Sequence, residues 1–149
     1  MKNKLKWHSI LLVGLVLILA SSVIGCAPVK DGGGEPPPPP PNGVIDALDT
    51  GKLLDIGYNE PNKVVTVEGV IVRTYYAKNS KGQPTFLNFH DPYQGYFTAL
   101  IWGSDRANFP PNPESYFLHK KVRVKGAIEI YKGDPEIILR QQSQIWIVK

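Results

Sequence analysis

His90 and Asp91 stand side by side in the stretch TFLNFHDPYQGYFTALIW, Thr85 to Trp102. Imidazole beside carboxylate is a pairing that can move protons in general acid–base catalysis. Such a pair needs a nucleophile or a held water within reach, and a metal centre needs further ligands. The chain offers little of either. His119 is the only other histidine beyond residue 8, and it precedes a separate strand. The acidic residues are scattered singly, and Cys26 is the lone cysteine, which excludes an intrachain disulfide and argues against zinc. Asp91-Pro92 instead fits a strand-ending turn in which the aspartate bonds neighbouring amides. The expectation is a non-enzyme with no catalytic residues, no metal and no cofactor. A second cluster, Lys120, Lys121, Arg123 and Lys125, reads two ways: a stripe that tracks phosphates, or the solvated face of an edge strand.

The elements that must position these residues are mostly strands. Lys63 to Tyr76 (KVVTVEGVIVRTYY) is β-branched and aromatic, and a bulge at Gly69 is expected to bend one long strand between two sheets. Residues 78–83 form a turn-rich loop. Thr85–His90 and Tyr96–Trp102 follow as a hairpin, with Phe97, Ala99 and Ile101 alternating onto a core face. Pro110, Pro111 and Pro113 exclude a long helix between Gly103 and Lys120, leaving one turn over Ser104–Phe109. From Lys121 to Tyr131, Val122, Val124, Gly126, Ile128 and Ile130 alternate against a basic outer face. Glu136–Arg140 and Gln144–Val148 supply a last strand, broken at 141–143. Ahead of these, Val44–Gly57 carries an apolar pattern interrupted by Gly51, which predicts a helical turn or two and not a full helix. The expected fold is all-β, a five-stranded closed Greek-key barrel with a short N-terminal helical turn.

The first 25 residues read as a targeting segment. Lys2, Lys4 and Lys6 form a basic region, Ile10–Ala20 is an apolar run short for a membrane span, and Val23-Ile24-Gly25-Cys26 resembles the lipobox of prokaryotic lipoproteins. That resemblance implies lipidation at Cys26 and anchoring to the extracytoplasmic face of the cell membrane. Residues 26–43 then read as a linker: glycines followed by Pro36–Pro41, a stiff polyproline II spacer of roughly 3 Å per residue. The domain occupies 44–149. Net charge is +4 from 17 basic and 13 acidic residues. From Glu60 onward 12 basic residues face 8 acidic ones, which suits a polyanion without requiring one.

Val67-Glu68-Gly69-Val70, Thr85–Phe89, Phe97–Ile101, Lys120–Ile137 and Gln144-Ile145 resemble the nucleic-acid-binding OB-fold domains, over about residues 60–149. The likeness is closest to OB domains of exported bacterial proteins, some of which sit beside thermonuclease-type modules. In such barrels ligands lie across the second and third strands and the loops beside them. Those places hold Arg73, Tyr75, Tyr76, Lys78, Lys81, Phe86, Asn88, His90, Tyr93, Tyr96, Thr98, Trp102, Tyr131, Lys132 and Arg140. All but His90 and Tyr93 are taken as the ligand-contact set. Aromatics interleaved with cations suit single-stranded nucleic acid, whose bases stack on rings while Lys and Arg meet phosphates. The same face on an OB barrel can instead take a small ligand, a glycan or an envelope protein partner.

Overall fold

The computed structural model describes residues 43–148. The signal peptide, the lipidation of Cys26 and nearly all of the linker lie outside the described residues. The described residues are mostly β, with nine strands in two mixed sheets.

Strand β1 (Ile45–Asp46) leads into helix α1 (Thr50–Asn59), whose first turn is capped by Asp49: its Oδ1 accepts from the Lys52 amide at 3.2 Å. The helix is a full ten residues, longer than the turn or two expected. Gly51 lies in the capped first turn, where a flexible residue costs less than mid-helix. Leu53 and Ile56 bury the inward face beyond it. A Cβ on Gly57 would come within 2.5 Å of Ile130 and 3.0 Å of Ile128, so the helix lies directly on that part of the sheet.

The strands are β2 (Val64–Val70), β3 (Arg73–Tyr76), β4 (Thr85–Asn88), β5 (Thr98–Ile101), β6 (Lys121–Ala127), β7 (Glu129–Tyr131), β8 (Asp134–Leu139) and β9 (Ile145–Ile147). One sheet runs β1-β2-β6-β9 and the other β3-β4-β5-β8-β7. Among the described residues the strands make two separate sheets and no closed five-stranded barrel, and two of the expected long strands are each divided between the sheets. The first division is not at Gly69. Ile71 donates its amide to Lys120 in the first sheet's neighbourhood, while Val72 donates to Asn88 at the end of β4. Hydrogen bonding thus changes sheets across one peptide. The second division is at Ile128, between β6 and β7.

The core lies between the sheets and under α1. It includes Val67, Ile71, Leu87, Phe97, Ala99, Ile101, Val122, Val124, Ile137, Leu139 and Ile145, all essentially inaccessible to solvent. The alternation read for Phe97–Ile101 and Val122–Ile128 is what places them there. Strand β6 lies between β2 and β9, so the edge-strand reading of its basic residues is corrected.

The proline-rich segment holds a 3-10 turn at Arg106–Asn108 and a short helix α2 (Pro113–Phe117) that the prolines did not announce. Pro113 occupies its first turn, where a missing amide hydrogen costs nothing. Arg106 fastens the segment to the second sheet. Its guanidinium donates to the Thr85 hydroxyl at 2.5 Å and to Glu114 at 2.6 Å, and it stacks 3.9 Å from the Tyr76 ring centre. Among the described residues no helix is long and apolar enough to cross a membrane.

Candidate functional site

The pairing of β3, β4, β5, β8 and β7 lines up two rows on the outer face of the second sheet. Arg73, Asn88, Thr98, Glu136 and Glu129 form a polar row, each directly opposite the next. Beside it Tyr75, Phe86, Leu100 and Ile138 form an apolar one. Side chains two residues apart on a strand share a face, so the rows adjoin.

Where the two rows meet the hairpin loop between β4 and β5, a cleft of about 340 Å³ is lined by Arg73, Tyr75, Phe86, Asn88 and Tyr93. Tyr75 and Phe86 lie nearly parallel, 13° apart with centroids at 6.4 Å. Tyr75 is 61 % exposed and Tyr93 45 % exposed. Two flat faces are therefore presented to solvent beside a buried amide. Asn88 is only 4 % exposed, and its Oδ1 accepts from the Thr98 hydroxyl at 3.1 Å. That bond fixes the amide's orientation.

The loop that carries Tyr93 is held at several points. Gly95, with φ at +82°, lets the chain turn so that the Tyr96 amide donates to the Tyr93 carbonyl at 3.0 Å. The Gly95 amide itself donates to Asp134 Oδ1 at 3.0 Å, tying the hairpin loop to the β7–β8 turn. His90 stacks on Tyr96 at 3.7 Å between centroids, and its Nδ1 lies 2.8 Å from the Pro92 carbonyl. A carbonyl can only accept, so Nδ1 carries the hydrogen. His90 and Asp91 thus have structural partners instead of each other: Asp91 Oδ1 accepts from Arg73 Nη1 at 2.8 Å.

The expected ligand-contact set is brought together only in part. Arg73, Tyr75, Phe86 and Asn88 line the cleft, and Thr98 holds Asn88 from the neighbouring strand. Tyr76 alternates onto the opposite face of β3, under the Arg106 guanidinium. Trp102 packs on the 78–83 loop, where a Cβ on Gly82 would meet its ring at 2.8 Å. Lys78 and Lys81 are exposed on that loop. Tyr96 is covered by His90. Tyr131 and Lys132 pair with one another at the β7–β8 turn, the ammonium 5.3 Å from the ring centre. Arg140 lies beyond β8 and is engaged through its backbone, by Asn108 and Gln144. Tyr93, left outside the set, lines the cleft. Its signal in the sequence was an aromatic inside a tight hairpin loop, where no structural reason calls for one.

No protein-family model and no curated protein sequence matches the chain. A solved structure with some likeness is the Entamoeba histolytica asparaginyl-tRNA synthetase, 14 % identical, with a TM-score of 0.43, over 70 % of this chain and 23 % of the synthetase. The match takes in under a quarter of that enzyme's length.

Charge on the face is uneven. Glu129 and Glu136 stand opposite each other on β7 and β8. Burial, and secondarily the Glu129 carboxylate, push the Glu136 carboxyl above its ordinary value. On the other sheet Glu68 is held below its ordinary value by hydrogen bonds from Lys121 and then Arg123, at 2.6 and 2.7 Å. These bonds engage two of the four cations of the cluster read from the sequence, and Lys120 lies over the Tyr116 ring. Among the described residues no group of three His, Cys, Asp or Glu is placed to hold a metal.

The two glutamates respond oppositely to acid. Glu68 stabilises the fold above its unfolded-state pKa, and that contribution is lost as pH falls through its lower folded value. Ionised Glu136 disfavours the fold above its raised folded pKa, and that cost vanishes once pH falls below its unfolded value. Glu136→Gln is therefore expected to raise stability at neutral pH by about 0.5 kcal/mol, the scale of a like-charge cross-strand pair. The gain should disappear at acidic pH. Thermal unfolding of both proteins from pH 7 to pH 3.5 measures it, and an equal difference throughout would remove the assigned cause.

Proposed function

We propose that this chain is a non-catalytic binding module of OB-like architecture that takes single-stranded nucleic acid on the outer face of β3, β4 and β5. The observation that carries the reading is the cleft itself: exposed Tyr75 and Tyr93 with Phe86 as stacking surfaces, Arg73 for a phosphate, and the fixed Asn88 amide for a base edge. Every base offers a π-face, so such a platform binds without strict sequence preference. The OB-like part of the proposal is supported by strand order. An antiparallel β3-β4-β5 meander is followed by a parallel β5–β8 pairing, and two chain segments pass from one sheet to the other. We further propose that Cys26 is lipidated and anchors the domain at the extracytoplasmic membrane face, with the proline run as spacer. The residues that support this are Lys2, Lys4 and Lys6, the apolar run and Gly25-Cys26.

Fluorescence anisotropy of labelled DNA and RNA oligonucleotides, titrated with the protein at several salt concentrations, tests the main claim. Saturable binding that weakens steeply with salt is expected, since each phosphate neutralised releases counterions. Absence of binding at low salt to both nucleic acids would reject it.

One observation favours a second reading, a glycan, small ligand or protein partner in an envelope complex. Arg73 is already paired with Asp91, and Glu129 and Glu136 place negative charge on the same face. A long polyanion would meet both. Asp91→Asn separates the readings: it frees Arg73, so affinity for an oligonucleotide should rise several-fold, whereas affinity for an uncharged glycan should stay level. The Arg73–Asp91 pair is more than half exposed on both sides, so fold stability should change by less than about 0.5 kcal/mol.

A further inference from the structure

A second concavity lies on the other side of the domain, between α1 and the β2–β6 pair. It is a cleft of about 100 Å³ lined by Gly43, Ile45, Lys52, Ile56, Lys63, Val64, Val65, Thr66 and Lys125. Three lysines from three separate parts of the chain thus line one small space, and no carboxylate is among its lining residues. Lys52 comes from the first turn of α1, Lys63 from the residue before β2, and Lys125 from β6, directly opposite Thr66.

Convergence of like charges at a shared cleft is unfavourable unless something compensates it. Glu60 does so once, accepting from Lys63 at 2.6 Å. Among the described residues Lys52 and Lys125 have no ion-pair partner, so the cleft keeps an excess of positive charge. Its neighbours on the same sheet differ. One register step along, Lys121 and Arg123 both pair with the Glu68 carboxylate. Thr66 adds a donor of another kind, a hydroxyl-bearing side chain 2 % exposed in the floor of the cleft. The helix N-terminus is not part of this arrangement, because the Asp49 carboxylate caps it. Room for roughly three waters, three lysines and a buried hydroxyl-bearing side chain in the lining suit a compact tetrahedral oxyanion.

We infer that the α1–β2 cleft is a phosphate-class oxyanion site, held by Lys52, Lys63 and Lys125 with Thr66 at its base, and separate from the aromatic cleft. The occupant is either free phosphate or the phosphodiester of a glycerophospholipid headgroup, which share this chemistry. The lysines act as mobile point charges and not as a rigid fork, which fits a millimolar affinity.

The test is a titration of the 15N-labelled full chain in a non-ionic detergent with sodium phosphate, with glycerophosphoglycerol, and with sodium chloride at matched ionic strength. Saturable amide shifts at Val65, Thr66 and Lys125 are expected with one or both phosphates and not with chloride. A stronger response to inorganic phosphate assigns the free ion, and a stronger response to the diester assigns the headgroup. Lys125→Met and Lys52→Met, both at exposed positions, should each weaken binding at least fivefold while the remaining spectrum stays folded. Shifts that chloride reproduces, or affinities unchanged in both variants, would overturn the site. Oligonucleotide binding by the same variants should be unaffected, so failure here is distinguishable from failure of the aromatic cleft.

Discussion

Tyr75→Ala combined with Tyr93→Ala is expected to lower oligonucleotide affinity on the order of 30-fold or more and to leave the melting temperature nearly unchanged. The magnitude follows from stacking, worth about 1–3 kcal/mol per base on each aromatic, taken at the lower end for both rings and converted at about 1.4 kcal/mol per tenfold. The unchanged stability follows from exposure: both side chains project from the sheet and its hairpin loop and contribute little to the core. Tyr76→Ala is the informative control. It is adjacent in sequence but faces the other way, carrying the Arg106 guanidinium that fastens the proline-rich segment to the sheet. Its loss should lower stability and spare affinity. Anisotropy titrations with melting curves on the same three proteins separate the outcomes. Equal affinity in the double variant and the parent would mean that the cleft is not where bases stack.

This opposition between Tyr75 and Tyr76 shows what the sequence could and could not tell. Strand periodicity alone puts neighbours on opposite faces, so only one of the two could line a cleft. Deciding which required the register Tyr75↔Phe86 and Tyr76↔Thr85. Arg73, Phe86 and Asn88 were legible for the same reason, as the outward-facing partners of a hairpin whose inward face, Leu87 with Ala99 and Ile101, is apolar. Tyr93 was not, because loop residues follow no period.

Charge pairing was hardest to read. Arg73 meets Asp91 across 18 residues and Glu68 meets Arg123 across 55, distances over which spacing carries no information. In a cationic stripe that looked free in the sequence, two of the four cations are therefore engaged by one glutamate. Lys52 and Lys125, which have no ion-pair partner among the described residues, come from segments that no local pattern connects. Helix α1 was under-read for a related reason: Gly51 counts against a helix in isolation, but Asp49 caps the turn and the packing of Leu53 and Ile56 outweighs a propensity cost of about 1 kcal/mol.

Gly69→Val is expected to destabilise the domain by about 3 kcal/mol, lowering the melting temperature by on the order of 15 °C for a domain of this size. A glycine in a long β-branched strand invites the reading of a bulge, in which extra backbone freedom is what matters. The pairing says otherwise: Gly69 sits in unbroken register opposite Val122, and the chain changes sheets two residues later, at Ile71 and Val72. What the position requires is space. A Cβ there would lie 2.7 Å from the Ala47 Cβ and 2.8 Å from the Phe89 ring, and Phe89 is itself wedged against Phe97 at 5.1 Å. Neither neighbour can withdraw without moving β1 or the core. A β-branched residue is otherwise favoured in a strand, so propensity alone predicts that Gly69→Val stabilises. The two causes therefore predict opposite signs. Gly69→Ala, adding one methyl, should fall between parent and valine variant if contact governs the site, and a stability order that rises with side-chain size would refute the close-approach account.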